Sequence, residues 1–124
     1  MSAAPYHHID PVVLMRSVAG DLDSFRSLSQ VYLAIAPPAL ARMRAARAAG
    51  DLRALAHESH ALKGSAMLVG AQDLCALLQR IELLAGAGGD SAALWPELER
   101  QFGLVIDEVS DTIAHYSGQA GAGA

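Results

Sequence analysis

What the chain has little of narrows the field first. Its 124 residues include one cysteine, one tryptophan and two phenylalanines, and aromatics make up only 5% of the total. A lone cysteine, Cys75, cannot close an internal disulfide, which fits a reducing compartment. No apolar run approaches the ~20 residues of a membrane-spanning helix. The N-terminus also lacks the charged-then-apolar order of a secretory leader. We therefore expect a cytoplasmic chain without membrane insertion. Nine basic residues against thirteen acidic ones give a formal net charge of -4, and the basic residues are not gathered into a stripe. That argues against nucleic acid as a partner, since a phosphate backbone calls for a basic patch. A glycine-rich phosphate loop, a nucleotide-binding motif and a Ser-His-Asp set are all missing. Nothing here could draw a phosphoryl group from ATP.

What is present is helical in character. Hydrophobic residues make up 52% of the chain, many of them alanine and leucine, which lose little side-chain freedom in a helix. The length suits one domain. Residues 1–9 read as a flexible tail. Asp10-Pro11 opens a short helix over about 11–19, because Asp caps free N–H groups and Pro suits the first helical position. Asp21 or Asp23 caps a second helix, with an expected inner stripe of Phe25, Leu28, Val31/Tyr32, Ile35, Ala39 and Met43. Pro37-Pro38 should kink or break it. Asp51 caps a third helix over about 52–69, closed by Gly70. A fourth over about 72–85 would bury Leu74, Leu77, Leu78, Ile81 and Leu84. After a glycine-rich turn, Ser91 caps a last helix through about Tyr116, carrying Leu94, Leu98, Phe102, Val105, Val109 and Ile113. Residues 117–124 have nothing to bury and read as a second flexible tail. The expected architecture is all-α: an up-down four-helix bundle over residues 10–116, with the short additional N-terminal helix as a lid on one end.

The third helix carries the chemistry. At 3.6 residues per turn, Leu52, Leu55, Ser59, Leu62, Ala66 and Val69 share one side, and His60 points roughly 130° away from it. Arg53, Ala56, His57, Lys63, Gly64 and Met67 surround His60 on the outward face. A glycine inside a helix costs about 1 kcal/mol relative to alanine, and the local pattern gives no reason for one. Its missing Cβ would leave clearance for another molecule's backbone beside His60. Histidine ordinarily titrates near pH 6.5, so a neutral nitrogen nucleophile is available at pH 7. Lys63, one turn on, can offset the charge of an incoming anion.

The run His60-Ala61-Leu62-Lys63-Gly64-Ser65-Ala66, followed by Gly70-Ala71 and Leu74-Cys75-Ala76-Leu77-Leu78, resembles the H-x-L-K-G-[SA] motif of histidine-containing phosphotransfer (HPt) domains of bacterial two-component phosphorelays. The resemblance spans roughly Asp10 to Tyr116. It implies a phosphocarrier and not an enzyme with its own kinase or ATP site. On that reading His60 accepts a phosphoryl group from a receiver-domain aspartate and passes it to another response-regulator receiver, with a hybrid sensor histidine kinase among the partners. It also implies that Mg²⁺ and much of the transition-state stabilisation come from the receiver, so the chain needs no metal or cofactor of its own. Lys63 would compensate the phosphoryl charge, and Ala56, His57, Gly64, Ser65 and Met67 would form the receiver-docking surface of a monomer. Two positions depart from the family pattern. Val69 precedes Gly70 where leucine or isoleucine is usual. The segment Gln79-Arg80-Ile81-Glu82 puts its glutamate later than the usual leucine-glutamate pair, so no role is carried over onto Glu82. His57 fits either a solvated neighbour or a group that tunes His60 or meets the partner, and Ser65 either a polar site residue or a spacer. A rival class is a scaffold bundle that docks signalling partners without carrying phosphate. Intact His60, Lys63 and Gly64 argue against it.

Overall fold

The computed structural model describes the backbone of residues 6–122 and the side chains of residues 6–116. The elements are α1 (Pro11–Ser17), α2 (Leu22–Ala48), α3 (Leu52–Leu68), α4 (Gln72–Gly86), a 3₁₀ turn (Ala92–Leu94) and α5 (Trp95–Ala122). Among the described residues there is no strand, and no helix is long and apolar enough to cross a membrane. Packing runs α2 on α3, α3 on α4, α4 on α5 and α5 back on α2. A closed ring of sequential neighbours joined by short turns is an up-down four-helix bundle. α1 lies across one end, against α2 and α3.

Local chemistry sets the helix ends. The side chains of Asp10, Asp21 and Asp51 accept from the backbone N–H of Val12, Asp23 and Ala54, each filling part of a helix's unpaired first turn. α3 ends at a left-handed glycine, Gly70 (φ +70°), and the Ala71 N–H returns to the Ala66 carbonyl at 3.1 Å. Gly70 is needed twice over. A Cβ there would stand 2.8 Å from the backbone of Asp10, where the N-terminal segment crosses.

The core forms on the expected side of α3, with Leu55, Ser59, Leu62, Ala66 and Val69 buried. Three of its hydroxyls are satisfied within their own helices: Ser59 donates to Leu55 O (2.7 Å), Ser29 to Phe25 O (2.8 Å) and Thr112 to Val109 O (2.7 Å). Each of these three thereby avoids the desolvation penalty of an unmade bond.

Several expectations need correction. On α2, Phe25, Tyr32, Ala39 and Met43 are buried, but Leu28, Val31 and Ile35 are 39%, 48% and 45% exposed. Ser29, Ala36, Leu40 and Ala46 complete the inner face instead. The buried face sets the large Phe25, Tyr32, Leu40 and Met43 between the small Ser29, Ala36, Ala39 and Ala46, and the stripe of Leu28, Val31 and Ile35 lies outside it. Pro37 and Pro38 do not break α2, which runs unbroken through them. Both prolines are exposed, so water can reach the carbonyls that lose a partner. Ser91 is not the cap of α5. Asp90 accepts the Ala92 N–H at 2.9 Å, while Ser91 Oγ accepts from the Trp95 indole at 3.0 Å. Of the expected N-terminal tail, residues 1–5 lie outside the described residues, but 6–9 are tied to α5. Glu108 accepts backbone N–H groups from His7, His8 and Ile9, and Tyr6 donates to Asp111 at 2.7 Å. α5 continues to Ala122, six residues past the expected end at Tyr116, because helical backbone bonds can propagate without a buried face. Of the expected C-terminal tail 117–124, residues 123 and 124 and all the side chains lie outside the described residues.

Candidate functional site

His60 stands mid-way along α3 with 67% of its side chain exposed. α4 runs antiparallel beside it and supplies two more polar groups. Glu82 Oε2 lies 3.0 Å from His60 Nδ1, and Glu82 Oε1 lies 3.1 Å from Lys63 Nζ. Lys63 also donates to Gln79 Oε1 at 2.6 Å. The four side chains thus form one chain of bonds across the α3–α4 seam, the imidazole at its exposed end. The Lys63 side chain is only 17% exposed and that of Glu82 26%, so these bonds are partly shielded from water.

Burial alone would raise the Glu82 pKa. The bond from Lys63 and the charges of His60 and Lys63 outweigh it and hold the carboxyl below its ordinary range. Glu82 is therefore a carboxylate near neutral pH, and a carboxylate only accepts. The Nδ1 facing it must carry the proton. In the neutral imidazole the free lone pair then sits on Nε2, the outward nitrogen.

The expected site residues divide in two. His60 and Lys63 are brought together, though through Glu82 and not by direct contact. His57, Gly64 and Met67 are exposed on the same side, Met67 by 58%. Among the described residues, nothing beyond the helix's own neighbouring backbone comes within 4 Å of a Cβ built on Gly64. Ala56 is half-buried against the core. Ser65 is half-buried and lines a crevice with Leu28, Val31, Ile35 and Leu68. Glu58 faces α2, paired with Arg42 at 2.9 Å. Cys75 touches the site only from behind: its thiol points at the Lys63 carbonyl (3.7 Å), and burial raises its pKa against the opposing charge of Lys63. Among the described residues, no three His, Cys, Asp or Glu side chains gather as metal ligands. Sequence reading missed Glu82 and Gln79. The signal that could have found them is the antiparallel α3–α4 hairpin: residues equally far from Ala71 on either side meet across it, His60 with Glu82 and Lys63 with Gln79.

Apolar surface surrounds this polar chain. A hollow of about 630 Å³ adjoins it, lined in part by Val13, Lys63, Met67, Ala76 and Gln79. The crevice holding Leu28, Val31, Ile35 and Leu68 lies between α2 and α3. These exposed aliphatics on neighbouring elements are what a partner surface needs.

An exposed imidazole, oriented by a carboxylate and backed by an ammonium on a helical bundle, is chemically able to accept an electrophilic group such as a phosphoryl. The family model of the Hpt domain matches residues 27–114. This chain belongs to the Hpt domain family. Among solved structures, the Hpt domain resembles the crystal structure of histidine-containing phosphotransfer protein B (HptB) from Pseudomonas aeruginosa PAO1. The TM-score is 0.80 at 28% identity, over 92% of this chain and 99% of that one. A comparison with curated proteins gives no match. Histidine phosphotransfer in a phosphorelay is the function of this Hpt domain, and its family works with response-regulator receivers and kinases.

Proposed function

We propose that His60 is the phosphoacceptor and that its Nε2 is the attacking atom. The observation that carries this reading is the 3.0 Å contact between Glu82 and Nδ1. It commits the ring proton to the inner nitrogen and leaves the outer one free. The lone pair of Nε2 attacks the phosphorus of a receiver's aspartyl phosphate. The P–N bond forms as the P–O bond to aspartate breaks, and the aspartate leaves as a carboxylate. No proton need move: Nδ1 keeps its hydrogen, and the positive charge that develops on the ring faces Glu82. Lys63, held 3.1 Å from Glu82, supplies a cation near the ring to offset the charge of the phosphoryl group. Transfer to the next receiver is the same sequence reversed.

The bundle of residues 10–116 serves as a monomeric cytoplasmic carrier, not a kinase. The Mg²⁺ that compensates the transferring group belongs to the receiver's acidic pocket. Receivers dock on the exposed face that carries His57, Gly64 and Met67, with Ala56 and Ser65 behind it and the outward aliphatics of α2 at its edge.

The test is incubation with a phosphorylated receiver, followed by assay of the Hpt domain for acid-labile, base-stable phosphate. His60→Gln should take up no label, and His57→Gln should keep most of it. Lys63→Ala should slow transfer several-fold, since a partly exposed cation contributes on the order of 1 kcal/mol. Label retained in His60→Gln and lost in His57→Gln would move the site one turn. Label unaffected by either substitution would place the phosphoryl group on another residue, and no label on the parent would leave a scaffold role.

A further inference from the structure

The N-terminal segment reaches the bundle through one carboxylate. Glu108, on α5, accepts three successive backbone N–H groups: His7 at 3.1 and 3.3 Å to its two oxygens, His8 at 2.9 Å and Ile9 at 3.2 Å. Its side chain is 16% exposed, and His8 Nε2 lies 3.9 Å away. Tyr6 adds its bond to Asp111 one turn further along α5. Past Ile9, which is buried, the Asp10 N–H donates to Val69 O at 3.1 Å, and α1 begins. Residues 6–10 therefore form a strap from α5 to the end of α3, and α1 starts where the strap lands.

α1 needs that strap. Seven residues are far too few for a helix to persist on its own, and of these only Pro11 and Leu14 are buried. Val12 and Val13 are 50% and 37% exposed. Val13 shares its hollow with Lys63, Met67 and Gln79, two of which belong to the bonded chain that ends on His60. Leu14 shares the α2–α3 crevice with Val31, Ile35 and Leu68. A helix distant from His60 in sequence is thus the wall that joins both apolar surfaces beside it.

We propose that Glu108 is a positioning residue for partner docking: by clamping the strap it fixes α1, so that Val13 completes the surface on which a receiver domain sits. This rests on the reading of His60 as phosphoacceptor. The occupant is a receiver because the hollow is continuous with the His60 site through Lys63 and Gln79. Its matching feature is an apolar helix face beside its acidic phosphorylation pocket. All three N–H groups reach Glu108 Oε1, and Oε2 takes only a second, longer contact from His7. Glu108→Gln keeps one accepting oxygen but removes the charge that strengthens these bonds, so it should loosen the clamp while keeping its bulk.

Two phosphoryl donors separate docking from chemistry. Phosphoramidate reaches His60 without docking, whereas a phosphorylated receiver must dock. Glu108→Ala and Glu108→Gln should raise the KM for the receiver about fivefold or more, with kcat little changed and phosphoramidate labelling within about twofold of the parent. Val13→Asp should raise KM similarly, and combining it with Glu108→Ala should add less than either alone, because both disable one wall. Hydrogen exchange at Val12–Ser17 should quicken in the Glu108 variants. Receiver KM unchanged while those amides exchange faster would overturn the proposal, as would an unchanged KM in Val13→Asp. A parallel loss of phosphoramidate labelling would overturn it too, by making Glu108 a support of the whole bundle. Failure of the parent to take label from phosphoramidate would instead strike the His60 reading. Should Glu108→Ala fail to fold, Glu108→Gln and Val13→Asp still decide the matter.

Discussion

Glu82 is the residue whose role is least visible from its type and most visible from its position. Carboxylates on helix surfaces are usually solvated, but this one holds His60 Nδ1 at 3.0 Å and Lys63 at 3.1 Å at the same time. Its two effects on His60, the bond to Nδ1 and the charge facing the ring, are both lost in Glu82→Ala. Glu82→Gln loses the charge and has one oxygen for two donors, Lys63 and Nδ1, so its amide N–H₂ faces one of them. In ¹⁵N NMR of the imidazole, the parent should show the proton on Nδ1, and both variants should populate the other tautomer. Phosphoryl uptake should fall several-fold in Glu82→Ala, with Glu82→Gln between, since partly exposed charged pairs contribute on the order of 1 kcal/mol. An unaltered tautomer in Glu82→Ala would show that the bond does not orient the ring. Seen from sequence, Glu82 was one more glutamate on an amphipathic helix. Only the fold gives it a partner.

At the scale of elements, the α3–α4 hairpin does most of the positioning. Both helices are antiparallel about the tight turn at Gly70-Ala71, so the register of one against the other fixes which side chains meet. Two glycines flank the same helix with opposite demands. Gly70 has positive φ and the Asp10 backbone against it, so Gly70→Ala should destabilise the domain by about 2 kcal/mol or more. Gly64 is in ordinary helical conformation, and among the described residues no atom outside the local helix backbone crowds a Cβ there. Gly64→Gln should leave stability equal or raise it by up to about 1 kcal/mol through helix propensity. Receiver-dependent transfer should nonetheless fall about tenfold, a barrier increase of roughly 1.4 kcal/mol, if the missing side chain is clearance for the partner. Thermal denaturation and transfer kinetics on both variants check this, and a sharp loss of stability in Gly64→Gln would return that glycine to a packing role. The helix boundaries themselves were legible. Asp10-Pro11, Asp21, Asp51 and Gly70 are local signals, and each acts within one turn. Pro37-Pro38 were misleading because a proline's lost bond matters less where water can replace it.

Across the whole molecule, the apolar residues are more numerous than the core requires. α2 carries two adjacent apolar stripes, and the bundle buries the one that holds Phe25, Tyr32, Leu40 and Met43. Leu28, Val31 and Ile35 face outward, next to Leu68. Ile35→Lys should therefore change folding stability by no more than about 0.5 kcal/mol, the range for surface sites. Docking should weaken by roughly 1 kcal/mol or more, seen as a raised receiver KM with kcat unchanged. Unfolding of Ile35→Lys at moderate denaturant would mean that this face is core after all.

By itself the sequence determined the all-helical class, the Asp caps of the first three helices, the inward side of α3 and the family motif around His60. Those depend on short-range rules: a period of 3.6 residues, side-chain capping within a turn, and a seven-residue motif. The tertiary structure alone decided which stripe of α2 is buried, that Glu82 and Gln79 complete the His60 chain, and that Glu108 ties residues 7–9 to α5. Each of those turns on contacts between residues far apart in the chain, about 100 residues for Glu108. Hydrophobic periodicity names the apolar faces of a helix. Which face the bundle buries depends on how closely its neighbours can approach, and that is set by the volumes of side chains on other helices.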